Sequence, residues 1–109
     1  MADTEETKVE STIKEVTVAG YVFKVDTDLL DDVEAFEYID RIENKGQTAA
    51  IAPLLTFMIG NKGYADMKAH FTTVDSEEHK AIKDYKPRFR IQKLQDVYVA
   101  IIDKFDPKG

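Results

Sequence analysis

Apolar residues along this chain follow two different rhythms. Between Ile13 and Val25, the residues Ile13, Val16, Val18, Val22, Phe23 and Val25 are β-branched or aromatic, and Ala19-Gly20 interrupts them. Glycine supplies the positive φ of a tight turn, so this stretch is expected to form a β-hairpin. An isolated hairpin is barely stable in water, so it must lean on helices or on another subunit. From Leu29 onward the spacing changes to threes and fours. Leu29, Val33, Phe36, Ile39 and Ile42 form one apolar stripe, with Thr27 as the expected N-cap and Asn44-Lys45-Gly46 as the stop.

Two more helices follow by the same reasoning. Ile51, Leu54, Leu55, Met58 and Ile59 make a stripe whose start lies near Ala50 to Ala52, because Pro53 is tolerated only in a first turn. A short helix over about 62–71 presents Tyr64, Met67 and Phe71, weakened by Gly63. Residues 72–90 show no clean period, and Lys86-Pro87 disfavours helix, so a long connection with at most one turn is expected there. The last stripe is the clearest: Ile91, Leu94, Tyr98, Ile101, Ile102 and Phe105, ended by Asp106-Pro107. The expected fold is mainly α, with an N-terminal β-hairpin followed by about four helices in a small bundle. Residues 1–11 read as a disordered acidic tail and 12–106 as a single domain.

Composition narrows the chemistry. The 109 residues carry 15 Lys+Arg and 21 Asp+Glu, a net charge of −6. Such a balance disfavours general coating of nucleic acid or anionic membrane. No cysteine is present, which excludes disulfides, thiolate zinc sites and a cysteine nucleophile. No apolar run approaches the roughly 20 residues of a membrane span, and the acidic start is not a signal peptide. His70 and His79 lie in no metal motif, Ser11 and Ser76 in no nucleophile elbow, and GNKG lacks the ending of a phosphate loop. Carboxylate pairs such as Asp28 with Asp32 and Glu34 with Glu37 are expected to form a solvated face rather than an acid–base pair. Neither catalytic residues, metal ligands nor a cofactor are expected.

Two features depart from this plain picture. Lys80, Lys83, Lys86, Arg88, Arg90 and Lys93 oppose only Asp84, and Tyr85 and Phe89 interleave with them. Basic residues with stacking aromatics suit single-stranded nucleic acid. The favoured alternative is pairing with the acidic face over 26–43, within one chain or between subunits. The second feature is surplus apolar surface. At about 100° per residue, Phe57 and Val99 each point about 120° away from their helix stripes. Phe57, Met58, Val99 and Tyr64 are therefore candidate partner-binding residues, a sandwiched core helix being the alternative.

The order of segments carries a resemblance. An acidic opening helix, DTDLLDDVEAFEYIDRIENKGQ, precedes an apolar helix with an early proline and closing glycine, IAPLLTFMIG. A short helix ending in an aspartate turn, NKGYADMKAHFTTVD, and the amphipathic IQKLQDVYVAIIDKF complete the series. This order resembles the tail assembly chaperones of siphophages and related prophages of Gram-positive bacteria. The match covers roughly 23–75 and 91–105; its most telling parts are Asp28 to Asp32 through Glu37, Leu54-Leu55 with Ile59-Gly60, Tyr64 and Asp75. At 76–88, where the family has a short glycine turn, this chain has its basic insertion.

The resemblance implies a non-enzymatic protein of the host cytoplasm, absent from the mature virion, that binds the tape measure protein and keeps it soluble during tail assembly. Self-association is an expected further partnership. The family commonly has a longer form made by −1 frameshifting. Asp106-Pro107-Lys108 can be encoded with the slippery pattern C-CCA-AAG, so this chain is expected to be the short, unshifted product. The alternatives are another phage morphogenesis or head–tail connector component, or a small nucleic-acid-binding regulator.

Overall fold

A computed structural model describes residues 12–105. The expected tail over 1–11 and the stop at Asp106-Pro107 lie outside the described residues. The chain opens with two antiparallel strands, β1 (Ile13–Val18) and β2 (Tyr21–Asp26), paired Val18 to Tyr21, Val16 to Phe23 and Lys14 to Val25. Ala19 and Gly20 both take positive φ, 50° and 86°, the backbone of a two-residue turn that matches the strand twist. Alternation puts Val16, Val18 and Val25 on one buried face, with Tyr21 and Phe23 half-buried beside them.

Three α-helices follow, where about four were expected: α1 (Val33–Glu43), α2 (Ile51–Glu78) and α3 (Ile91–Lys104). The long element α2 is two helical stretches joined across a kink at Gly60, whose φ of 83° and ψ of 164° are not helical, so the two middle helices expected from the sequence meet there with no loop between them. Beyond the bend, α2 runs on to Glu78, so the connection spans only 79–90. The hairpin's buried face leans on the helices, β1 against α3 and β2 against α2. The core joins these surfaces through Val16, Leu30, Ala35, Ile51, Leu54, Leu55, Met58, Met67, Phe71, Val97 and Ile101. Tyr98 donates a hydrogen bond to Glu43 at 2.6 Å and ties α3 to the end of α1. Burial and then the Glu43 carboxylate push the Tyr98 hydroxyl pKa upward, keeping it a donor.

The opening helix differs most from its sequence reading. Residues Thr27–Asp31 form a separate 3-10 turn, capped by Asp26 rather than Thr27. Thr27 is instead buried, its hydroxyl donating to the carbonyl of Thr12 at 2.8 Å. Asp32 then breaks the rhythm with extended backbone and caps α1 by accepting from the Glu34 N–H at 2.8 Å. A helix that starts afresh at Val33 does not inherit the register of Leu29. Its inward stripe is Ala35, Tyr38, Ile39 and Ile42, at i, i+3, i+4 and i+7. Val33 and Phe36 consequently point out, 71% and 66% exposed. In α3 the stripe is likewise centred on Val97, Tyr98 and Ile101, and Ile91 stays outside.

Gly60 sits in a backbone region open essentially to glycine alone, yet an added Cβ there would meet nothing within 4 Å. The cost of Gly60→Ala is therefore conformational rather than steric. The substitution is expected to lower stability by about 1–3 kcal/mol, and a thermal melt should show Tm falling by at least about 4 °C. An unchanged Tm would mean that the bend can straighten without cost.

Candidate functional site

The inner stripe of the second half of α2 ends on a charge. Met67 and Phe71 are buried, and one helical step further Asp75 is buried too, only 4% exposed. A carboxylate in that position must be fully hydrogen-bonded to be tolerated. The 79–90 connection supplies what it needs. Tyr85 donates its hydroxyl hydrogen to Oδ2 at 2.5 Å, and the Arg88 N–H donates to the same oxygen at 3.0 Å. Arg90 donates from Nε to Oδ1 at 3.1 Å and from its outer nitrogen to the Tyr85 hydroxyl. His79 stacks on Tyr85, ring centres 4.4 Å apart, and its Nδ1 lies 2.8 Å from the Asp75 carbonyl. Since a carbonyl only accepts, Nδ1 carries the proton.

Burial pushes the Asp75 carboxyl pKa up, but the bonds from Tyr85, Arg90 and the Arg88 N–H outweigh it and bring the value to about 2. The same bonds, Asp75 first, raise Arg90. Thus the basic segment is held by one aspartate of α2. Among the described residues it makes no ion pair with the acidic face over 26–43, as the sequence reading had favoured within one chain. Its aromatics are also engaged. Tyr85 lies under Arg88 and Arg90, and Phe89 stacks on Phe71 at 5.4 Å and approaches Tyr64 at 6.5 Å. Neither ring is presented for stacking on a nucleic-acid base.

Beside this node lies an open hollow of about 410 Å³, bordered by Asp75, Glu78, His79, Arg90 and Lys93. Asp75, Glu78 and His79 each offer one ligand atom, all within 4.8 Å of one another. The Arg90 guanidinium, however, already occupies the cation position next to Asp75 Oδ1. The donor set is better satisfied by the protein's own cation than by a metal. His70 packs between Tyr21 and Phe71, at 4.5 and 5.2 Å, as an aromatic filler.

The four candidate partner residues separate. Met58 is buried in the chain's own core at 6% exposure, while Phe57 and Tyr64 are half-buried against that core. Val99 alone stands out, 62% exposed. It borders a hollow of about 390 Å³ between the end of α1 and α3, lined also by Ile42, Ile51, Gln95 and Tyr98. A second apolar patch, Val33 with Phe36, was not foreseen because both residues were assigned to the core. The signal that could have found it is the run of caps, Asp26 and Asp32, which resets the helix register. Comparison of the chain with protein-family models, with curated proteins and with solved structures finds no match.

The sign of the Asp75 shift fixes its pH dependence. The native carboxyl titrates near 2 rather than at 3.8, so its contribution is complete above about pH 4 and is lost as pH falls towards 2. Amide exchange of the Arg88 N–H, measured across that window, should pass from protected to free. Tyr85→Phe should move the release to higher pH, and Asp75→Asn should leave the amide less protected at neutral pH. A pH-independent exchange pattern would show that the carboxylate does not hold the segment.

Proposed function

We propose that this protein is a tail assembly chaperone of a siphophage or related prophage, acting without catalysis in the host cytoplasm on the tape measure protein. The observation that carries the reading is apolar surface left over after the core is complete. Exposed Val99 stands beside a hollow lined also by Ile42, Ile51 and Tyr98 and by polar Thr48, Gln92, Gln95 and Asp96. A groove of that kind fits the apolar face of an amphipathic helix. A long helical client that awaits its tube subunits exposes many such faces, an aggregation hazard that a small acidic binder offsets by covering apolar area and adding charge.

The order of acidic helix, proline-led apolar helix and final amphipathic helix supports the same reading. No helix of the described residues is long and apolar enough to cross a membrane. The engaged aromatics of the 79–90 segment weigh against the regulator that grips single-stranded nucleic acid. The remaining rival, a component retained in the particle, differs by location rather than by chemistry.

Co-expression with the tape measure protein of the same phage or prophage tests the reading. The wild-type chain should raise the soluble fraction of that protein and co-purify with it, and purified virions should lack the chain by mass spectrometry. Val99→Asp should fold normally, because the side chain is exposed, and weaken co-purification at least about tenfold. If the tape measure protein is equally soluble without this chain, or if the chain is found in virions, the proposal is wrong.

A further inference from the structure

Phe71 is hidden by neighbours of unequal permanence. Tyr21 from the hairpin and His70 from α2 meet its ring edge-on, at 5.5 and 5.2 Å. Phe89 lies against a face of the same ring, nearly parallel at 10° and 5.4 Å, and also approaches Tyr64. With these rings in place Phe71 is only 2% exposed. The hairpin and α2 are parts of the core, but Phe89 belongs to a segment with little else to hold it. Residues 79–90 form neither helix nor strand, and over 80–90 every side chain except Tyr85 and Phe89 is exposed. The polar anchor on Asp75 is itself half open to water, since the Arg90 side chain is 44% exposed. Segments with few apolar contacts and solvent-facing polar bonds are the first parts of a fold to open.

We propose that residues 79–90 are a displaceable strap: Phe89 and Arg90 occupy, within the chain, a binding site for a basic, aromatic-bearing segment of a partner protein. The two residues are adjacent, so one short stretch delivers a ring to Phe71 and a cation to Asp75. Opening strands both groups. Phe71 loses its cover, and Asp75 loses donors that a buried carboxylate cannot do without. A segment of another protein replaces the strap only if it brings the same pair, an aromatic ring with a guanidinium beside it. The net charge of −6 favours the approach of such a segment. The hollow of about 410 Å³ beside Asp75 gives it an entrance, since Phe71, Val74 and Glu78 line that hollow too. The closed strap acts as an intramolecular competitor and lowers the partner's apparent affinity by the fraction of molecules that are open. The site lies on the second half of α2, apart from Val99, with Gln92 bordering both hollows. Its properties are readable on the purified chain, whatever the client of the Val99 hollow is.

Titration with a short alanine–lysine peptide carrying one Phe-Arg pair, followed by the amide signals of the full chain, decides it. Phe89→Ala leaves the core intact and should stay folded by circular dichroism. On that variant the peptide should shift the Tyr64, Phe71 and Asp75 signals and bind at least about tenfold more tightly than on the wild type, whose strap competes. Tyr85→Phe, which loosens the latch but leaves the Phe89 ring in place, should change affinity in the same direction by less. Exchanging the peptide's Phe for Ala, or its Arg for Gln, should remove the shifts. In the wild-type chain the Arg88 N–H should exchange at least about tenfold faster than that of Phe71, once intrinsic rates are allowed for, because the strap opens without global unfolding. Equal exchange would overturn the proposal, since strap and core would then open only together. So would a peptide that binds Phe89→Ala no better than the wild type, which would leave Phe89 a packing residue alone. Shifts confined to the acidic residues over 26–43 and indifferent to the peptide's ring would overturn it as well, as general charge attraction.

Discussion

A single buried carboxylate organises the part of this protein that composition alone would leave shapeless. Residues 79–90 are basic, proline-containing and almost devoid of core residues. Apart from Phe89, which packs on Phe71, nothing in their own sequence rewards order. Asp75 supplies the reward, because it is itself intolerable without donors. Its two oxygens collect a phenol, a backbone N–H and a guanidinium from that one segment. The need is mutual: the carboxylate requires the segment to remain charged out of water, and the segment requires the carboxylate to have a conformation at all.

That arrangement separates two kinds of surface. Inside, the hairpin, the bent α2 and α3 share one core in which Val16, Leu55, Met67 and Val97 are fully enclosed. Outside, large apolar side chains survive in separate places: Val33 with Phe36 on α1, Val99 on α3 and Ile82 on the tethered segment. A continuous greasy face would make a small protein insoluble; separated patches with charged rims permit contacts that are individually weak. The chain thereby combines exposed apolar side chains with a net charge of −6.

Much of the architecture was legible from residue spacing. The hairpin around Ala19-Gly20, the start of α2 forced by Pro53, and the burial of Ile51, Leu54 and Leu55 all follow from periodicity and from backbone constraints on two residue types. What escaped has specific causes. The register of α1 was misread because Asp32 restarts the helix, and because Ala35 is too small to weigh in a count of apolar residues although it is wholly buried. The extension of α2 to Glu78 was missed because its last inward position is Asp75, a residue that periodicity assigns to solvent. Gly60 does interrupt the helical backbone, but a second helical stretch resumes at once instead of leaving a loop. For the same reason the node could not be assembled in advance: its parts lie on either side of a segment with no period.

The order of the chain also bears on how the protein is completed during synthesis. β1 is followed by β2 and two helices before α3, its packing partner, is made. Until then Val16 and Val18 have no cover, and a two-stranded ribbon on its own does not persist. α3 therefore acts as the closing step for β1, and Tyr98 reaching Glu43 ties the same helix to the end of α1. The fold therefore commits as one cooperative event rather than piece by piece.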